Sequence, residues 1–286
     1  MSNEDERRLS VAIEALQAGR VIPYLGPDAL ALEPETQVPS TPEALAAFLT
    51  ARVAVPHKIR KRLTQAAQFI ENFKHRKTLV GAMNAAFADT PEPSELHWAI
   101  AASGAPLIVD AWYDDSMVAA LRGELGDGGW GQIQGLSQSE HPGNWTGCYD
   151  ALGTATTGVD PNWHTLLYRP LGGHSPAGNY LVSDSDFVEV LTEIDIQTPI
   201  PPVVQALRRG RHFLYLGCRF NDQLTRSFAR QISKRSSDCH WAVLPEEPTR
   251  MEARFLEEQR IERIALPLGS VAARLHEATV HSKLAV

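Results

Sequence analysis

Gly19-Arg20-Val21-Ile22-Pro23-Tyr24-Leu25-Gly26-Pro27-Asp28-Ala29-Leu30 decides the fold. Its apolar centre, Val21 to Leu25, is short and bracketed by glycines, as a strand buried on both faces is. A tight glycine turn follows at Gly26. In α/β folds such a turn offers backbone N–H groups to a pyrophosphate at a helix N-terminus. Upstream, Leu9, Ile13 and Leu16 recur at helical spacing and stop before Gly19, so a helix leads into the strand.

The alternation continues along the chain. Thr41-Pro42 opens a helix with a capping hydroxyl and a proline at the first helical position. Residues 56–87 read as two helices, the first strongly basic through Lys58, Arg60, Lys61 and Arg62, within a helical insertion over about 50–92. A basic run of this kind is ordinarily a solvated helix face rather than a phosphate or RNA site. A short helix at 94–104 precedes a second buried strand at 106–109. Helix and strand in repetition imply parallel pairing through right-handed crossovers, hence a doubly wound sheet.

Residues 123–163 interrupt the pattern with scattered glycines and Trp130, Trp145 and Trp163. The stretch is too rich in glycine for helix and too long for an ordinary connection, so it is predicted as a surface excursion. Its indoles either pin it to the core or offer an aromatic patch to a protein, with Trp130 and Trp145 as candidate partner contacts. The α/β pattern returns at 163–171, followed by 180–182, a helix at 185–193 and a strand at 211–216. A helix capped at Asn221-Asp222, a strand from His240, a charged helix at 248–260, a strand at 261–266 and a short terminal helix complete the reading.

Composition narrows the function. The 286 residues, 43% hydrophobic and 21% charged, suit an ordinary soluble protein of one large α/β domain or two small ones, and the pattern along the chain favours a single domain over 1–286. A net charge of −7 disfavours nucleic acid and anionic membrane as partners. No apolar run approaches the ~20 residues of a bilayer span, and the polar, acidic start is not a secretory signal. Cys148, Cys218 and Cys239 lie far apart without a CxxC pair, which argues against a disulfide framework or a thiolate metal site and points to the cytoplasm.

Taken together, several segments resemble the SIR2-like family in its bacterial, zinc-free branch. That family opens with helix, strand and a Gly-Ala-Gly-x-Ser phosphate loop, which Ala15 to Gly26 resembles in its lead-in. The family's Thr-Thr-Asn-Tyr-Asp strand end is similar to Asp110-Ala111-Trp112-Tyr113-Asp114, and its Leu-His-Gly to Leu171-Gly172-Gly173. Ser183-Asp184-Ser185-Asp186-Phe187 resembles the Thr-x-x-Asp-Tyr helix start, and Gly217-Cys218-Arg219-Phe220-Asn221-Asp222 the late Gly-x-Ser-x-x-Asp motif.

The resemblance implies a Rossmann-like parallel sheet of SIR2-like topology holding NAD or ADP-ribose, and cleavage of the nicotinamide–ribose bond by an asparagine and a histidine. Here those two positions carry Trp112 and Gly172. An indole donates one hydrogen bond and accepts none, and glycine has no side chain. Pro27 removes a loop N–H, and Asp28 sets a carboxylate where a pyrophosphate would lie.

Gly26, Pro27, Asp28, Trp112, Gly172, Gly173, Gly217 and Asp222 therefore read as the remnant of a nucleotide site, with no catalytic residue and no cofactor required. The expected role is that of a degenerate member acting by protein binding, as an accessory or regulatory factor of a larger complex. A metalloenzyme such as nitrogenase is one conceivable complex, although no residue singles it out. The alternatives are an NAD glycohydrolase using His174 and Asp114, and a sensor that binds NAD or ADP-ribose without cleaving it. Cys218 after its strand-end glycine reads as a buried small residue.

Overall fold

The structure is a computed structural model and describes residues 3–33, 35–193 and 199–284. Helix α1 (Asn3–Gln17) leads into β1 (Val21–Leu25), and a 3-10 turn (Pro27–Leu32) follows Gly26. Three helices come next: α2 (Pro42–Arg52), α3 (Leu63–Lys74) and α4 (Arg76–Ala86). Then come α5 (Glu95–Ala102), β2 (Leu107–Asp110), α6 (Ser116–Leu125), β3 (Trp130–Gly135), β4 (Thr146–Asp150), β5 (Ala155–Thr156) and β6 (Thr165–Arg169). A small ribbon, β7 (Gly172–Gly173) with β8 (Asn179–Tyr180), precedes α7 (Asp184–Glu193) and α8 (Pro202–Leu207). The chain finishes with β9 (His212–Leu216), α9 (Gln223–Ser233), β10 (His240–Val243), α10 (Arg250–Glu258), β11 (Ile261–Ile264) and α11 (Leu268–Leu284).

Nine strands make one sheet in the order β11-β10-β9-β1-β2-β6-β3-β4-β5. All neighbours from β11 to β3 run parallel, and β4 and β5 are added antiparallel at one edge. The doubly wound expectation therefore holds, and β1 sits where the strand order reverses. Its alternate residues divide between two cores. Ile22 and Tyr24 face α2, α3, α4, α7 and α9, whereas Val21 and Leu25 face α1, α5, α6 and α11. Thr41 caps α2 as its sequence predicts, accepting from the Ala44 N–H at 3.1 Å.

Three expectations need correction. The stretch 123–163 is not a surface excursion throughout, because β3 runs through it buried along its whole length and pairs with β6. The two glycines within β3 admit close neighbours. A Cβ on Gly131 would lie 2.4 Å from the Trp163 ring, and one on Gly135 2.2 Å from the Pro170 carbonyl oxygen. The basic run Lys58–Arg62 is not helical; it lies in turns ahead of α3. The terminal helix α11 is 17 residues long rather than short.

Candidate functional site

A cleft of about 510 Å³ lies outside the carboxyl ends of β1, β2 and β9, between the turns at Gly26, Trp112 and Cys218. This is the topological switch point, where open α/β sheets bind their ligands. The β1 turn itself is closed. Gly26 N–H donates to the Leu216 carbonyl at 2.9 Å, Asp28 N–H to Gly217 at 3.0 Å and Ala29 N–H to Gly26 at 3.1 Å. Pro27 has no N–H to give. From Gly26 to Ala29, every backbone donor is spent inside the protein.

Glycine at 26 serves this closure. A Cβ there would stand 2.4 Å from the Gly217 oxygen and 2.8 Å from Cys218 Sγ, so its absence lets two strand ends touch. Burial pushes the Asp28 carboxyl above its ordinary range, against the pull of the nearby Arg219 guanidinium. Burial likewise pushes the Cys218 thiol well up, which keeps it from being a thiolate.

Trp112 forms part of the cleft wall and is buried, its indole N–H donating to the Pro39 carbonyl at 2.9 Å. Phe87 and Tyr113 pack on its ring at centroid distances of 6.1 and 5.0 Å. The one polar group of this side chain is thus directed away from any occupant. Gly172 has φ +78°, and a Cβ on it would meet the Asn179 carbonyl oxygen at 2.1 Å. The β7–β8 ribbon leaves no room there for a histidine. Gly173 gives its side-chain space to the Arg169 guanidinium, whose nearest atom would lie 2.2 Å from an added Cβ.

Gly172 and Gly173 do not line the cleft, and the other candidates also fall outside it or serve structure. Asp114 is buried and accepts from the Ser116 N–H at 2.9 Å, starting α6. His174 Nδ1 lies 3.2 Å from the Tyr180 hydroxyl, which donates to Asn84 Oδ1 at 2.7 Å. The two thus belong to separate hydrogen-bond sets. Asp222 sits on the rim and caps α9, accepting from Leu224 and Thr225 N–H at 2.8 and 3.2 Å. Trp130 is fully buried with its N–H on the Gly126 carbonyl, so it is an anchor with no surface to offer a partner. Trp145 and Trp163 are half-buried against the core.

Sequence reading missed a charged cluster beneath this site. Arg169 is fully buried at the end of β6 and donates to Asp115 Oδ1 at 2.9 Å and to the carbonyls of Ser175, Tyr113 and Asp114. Its Nε lies 3.9 Å from Asp110. Burial, reinforced by the Asp114 carboxylate, pushes the Asp110 carboxyl up to about 8 against the pull of Arg169. Burial also lowers the pKa of His97, which holds the Ser94 N–H at 3.2 Å. The one signal available was a lone arginine closing the apolar run Thr165-Leu166-Leu167-Tyr168.

Residues 106–264 match the family model described as a SIR2-like domain, which is more than half of the chain. The chain belongs to the SIR2-like family. Curated proteins include no match to it. The SIR2-like match contains Trp112, Gly172, Gly217 and Asp222, while the Gly26 turn precedes it and is tied in through β1, which pairs with β2 and β9. At the level of the SIR2-like family, the expected ligand chemistry is that of NAD.

Proposed function

We propose that this SIR2-like protein does not cleave NAD and acts by binding, as an accessory or regulatory factor for another protein. One observation carries the reading: the β1 turn that should cradle a pyrophosphate has spent its backbone donors on Leu216, Gly217 and Gly26. The residues around it agree. Breaking the nicotinamide–ribose bond builds positive charge on the ribose and requires a positioned nucleophile and a base. Trp112 has committed its only donor to Pro39, and Gly172 is held in a conformation that excludes the missing histidine. Asp28 would add like charge beside a phosphate. These residues do not fit the dinucleotide.

Incubation of the pure protein with NAD and with ADP-ribose, following nicotinamide release and thermal stability together, tests the reading. The expected result is no release above buffer and no stability shift. Release would overturn the proposal. A shift without release would make the protein a nucleotide sensor instead. Trp112→Asn combined with Gly172→His is expected to stay inactive, because the second substitution strains the ribbon rather than restoring a base.

A further inference from the structure

We infer that the cleft mouth is the partner-binding face, and that it takes an acidic protein segment carrying an apolar side chain. The inference rests on the reading of this chain as a binding protein, and it moves the contact away from the tryptophans of residues 123–163, where Trp130 is buried. The carrying feature is the turn ahead of α3. Lys58, Arg60, Lys61 and Arg62 are all exposed there, while Ile59 between them packs on the core. Backbone hydrogen bonds from Ile59 to Pro56 and from Arg62 to Ile59, at 3.1 and 2.9 Å, hold the turn. The cations are therefore aimed outward by an ordered segment.

None of these four cations pairs with an acidic side chain among the described residues, although the chain carries seven excess negative charges. Lys61 and Arg62 line the cleft. The other charges around the cleft are already answered. Arg219 lies on Glu252 at 3.2 Å and also on Glu246. Asp222 caps α9, and Glu43 sits in the first turn of α2, where it complements the helix N-terminus. Asp28 lies near the Arg219 guanidinium, which pulls against the upward shift that burial gives its carboxyl. What remains uncompensated is cationic and lies on one side of the mouth.

Inside, the wall is apolar: Leu63, Trp112, Phe187, Phe220, Leu224 and Phe228. Desolvating such a surface with an apolar side chain is favourable, while the closed β1 turn gives a phosphate nothing to bind. The basic run also extends beyond the cleft, since Lys58 and Arg60 are exposed but do not line it. A small enclosed anion would leave those two untouched. An extended segment, apolar at its anchor and acidic on its flank, engages all four. Complementary rim charge of this kind acts mostly on association rate and salt dependence, with the buried anchor supplying residence.

The experiment uses the whole protein and a fluorescein-labelled peptide with a Leu-Phe centre flanked by Glu and Asp residues, read by fluorescence anisotropy. Saturable binding that weakens with salt is expected. Lys61→Glu with Arg62→Glu should weaken it by about tenfold or more. Thr225→Trp, which plugs the mouth, should abolish it; if that variant lacks a cooperative thermal transition, Thr64→Trp replaces it. Absence of saturable binding overturns the inference. So does binding indifferent to charge reversal, or binding that survives the plug. A stability shift with ADP-ribose that the plug removes also overturns it, by making the cleft a nucleotide site. Nicotinamide release in the same samples reports separately on the non-cleaving reading, so the two can fail independently.

Discussion

Positive charge at two places in the chain, Arg169 and the turn Lys58–Arg62, is treated very differently. Arg169 is fully buried, with Asp115 in contact, Asp110 at 3.9 Å and three backbone carbonyls as acceptors. The turn Lys58–Arg62 is exposed and has no acidic partner among the described residues. A buried charge survives only when its surroundings answer it, so the Arg169 cluster is explained by the fold it holds together. An exposed cation costs nothing to leave unanswered. Several in a row beside an apolar cleft are more informative about a partner than about stability.

The contrast can be broken by mutation. Arg169→Met should have the largest effect, because it leaves the Asp110, Asp114 and Asp115 carboxyls buried around a lost cation; about 3–5 kcal/mol of destabilisation is expected in urea unfolding. A loss below about 1 kcal/mol would mean that the cluster is not what ties β2 to β6.

Asp110→Asn probes the same cluster through pH. The folded-state pKa, about 8, lies above that of an unfolded aspartate, so the native protein binds the extra proton between roughly pH 4 and 8. Stability is therefore lost as pH rises through that window, by up to about 1.4 kcal/mol per pH unit for one proton, and levels off above it. The asparagine variant should show a flatter dependence in melts at pH 5 and 7.5. An unchanged slope would place the titrating group elsewhere.

Asp222→Ala should cost about 1 kcal/mol of stability through the α9 cap. Addition of NAD should leave that cost unaltered, as thermal melts with and without the dinucleotide would record. Smallest of all, Lys58→Glu with Arg60→Glu should change stability by less than about 0.5 kcal/mol while weakening the acidic peptide. A large loss of stability from that pair would show the turn to be structural after all, and would erase the contrast with Arg169.

Most of the sheet was legible because its strands announce themselves locally. Val21–Leu25, His212–Leu216 and His240–Val243 are apolar runs closed by turn residues, and Thr41-Pro42 and Asp222 cap helices as their types suggest. What was misread depended on distant neighbours. Gly131 and Gly135 look like irregular loop until Trp163 and Pro170 are seen to occupy the space beside them. The basic run reads as helical because Ala-, Gln- and Leu-rich sequence follows it, yet α3 begins only at Leu63.

Trp112, in the cleft wall, and Gly172, outside its lining, could both be picked out by motif. That the β1 turn is shut could not, since the acceptors closing it, Leu216 and Gly217, stand far along the chain. The Arg169 cluster stayed hidden for a similar reason: its partners Asp110, Asp114 and Asp115 come from another strand end. Charge on a buried strand gives little local warning.

The position of β1 has a consequence for anyone cutting this protein. The stretch that matches the family model begins at 106, yet the strand joining β2 to β9 is Val21–Leu25. Excised at those borders, the sheet would fall into two slabs, one of β11, β10 and β9 and the other of β2, β6, β3, β4 and β5. Each slab would bare a hydrophobic edge with unpaired backbone, a template for aggregation. The matched stretch and the sheet therefore have different borders here. During synthesis the first strand made must also wait for β9 before it is flanked on both sides, so any chaperone need should fall in that interval.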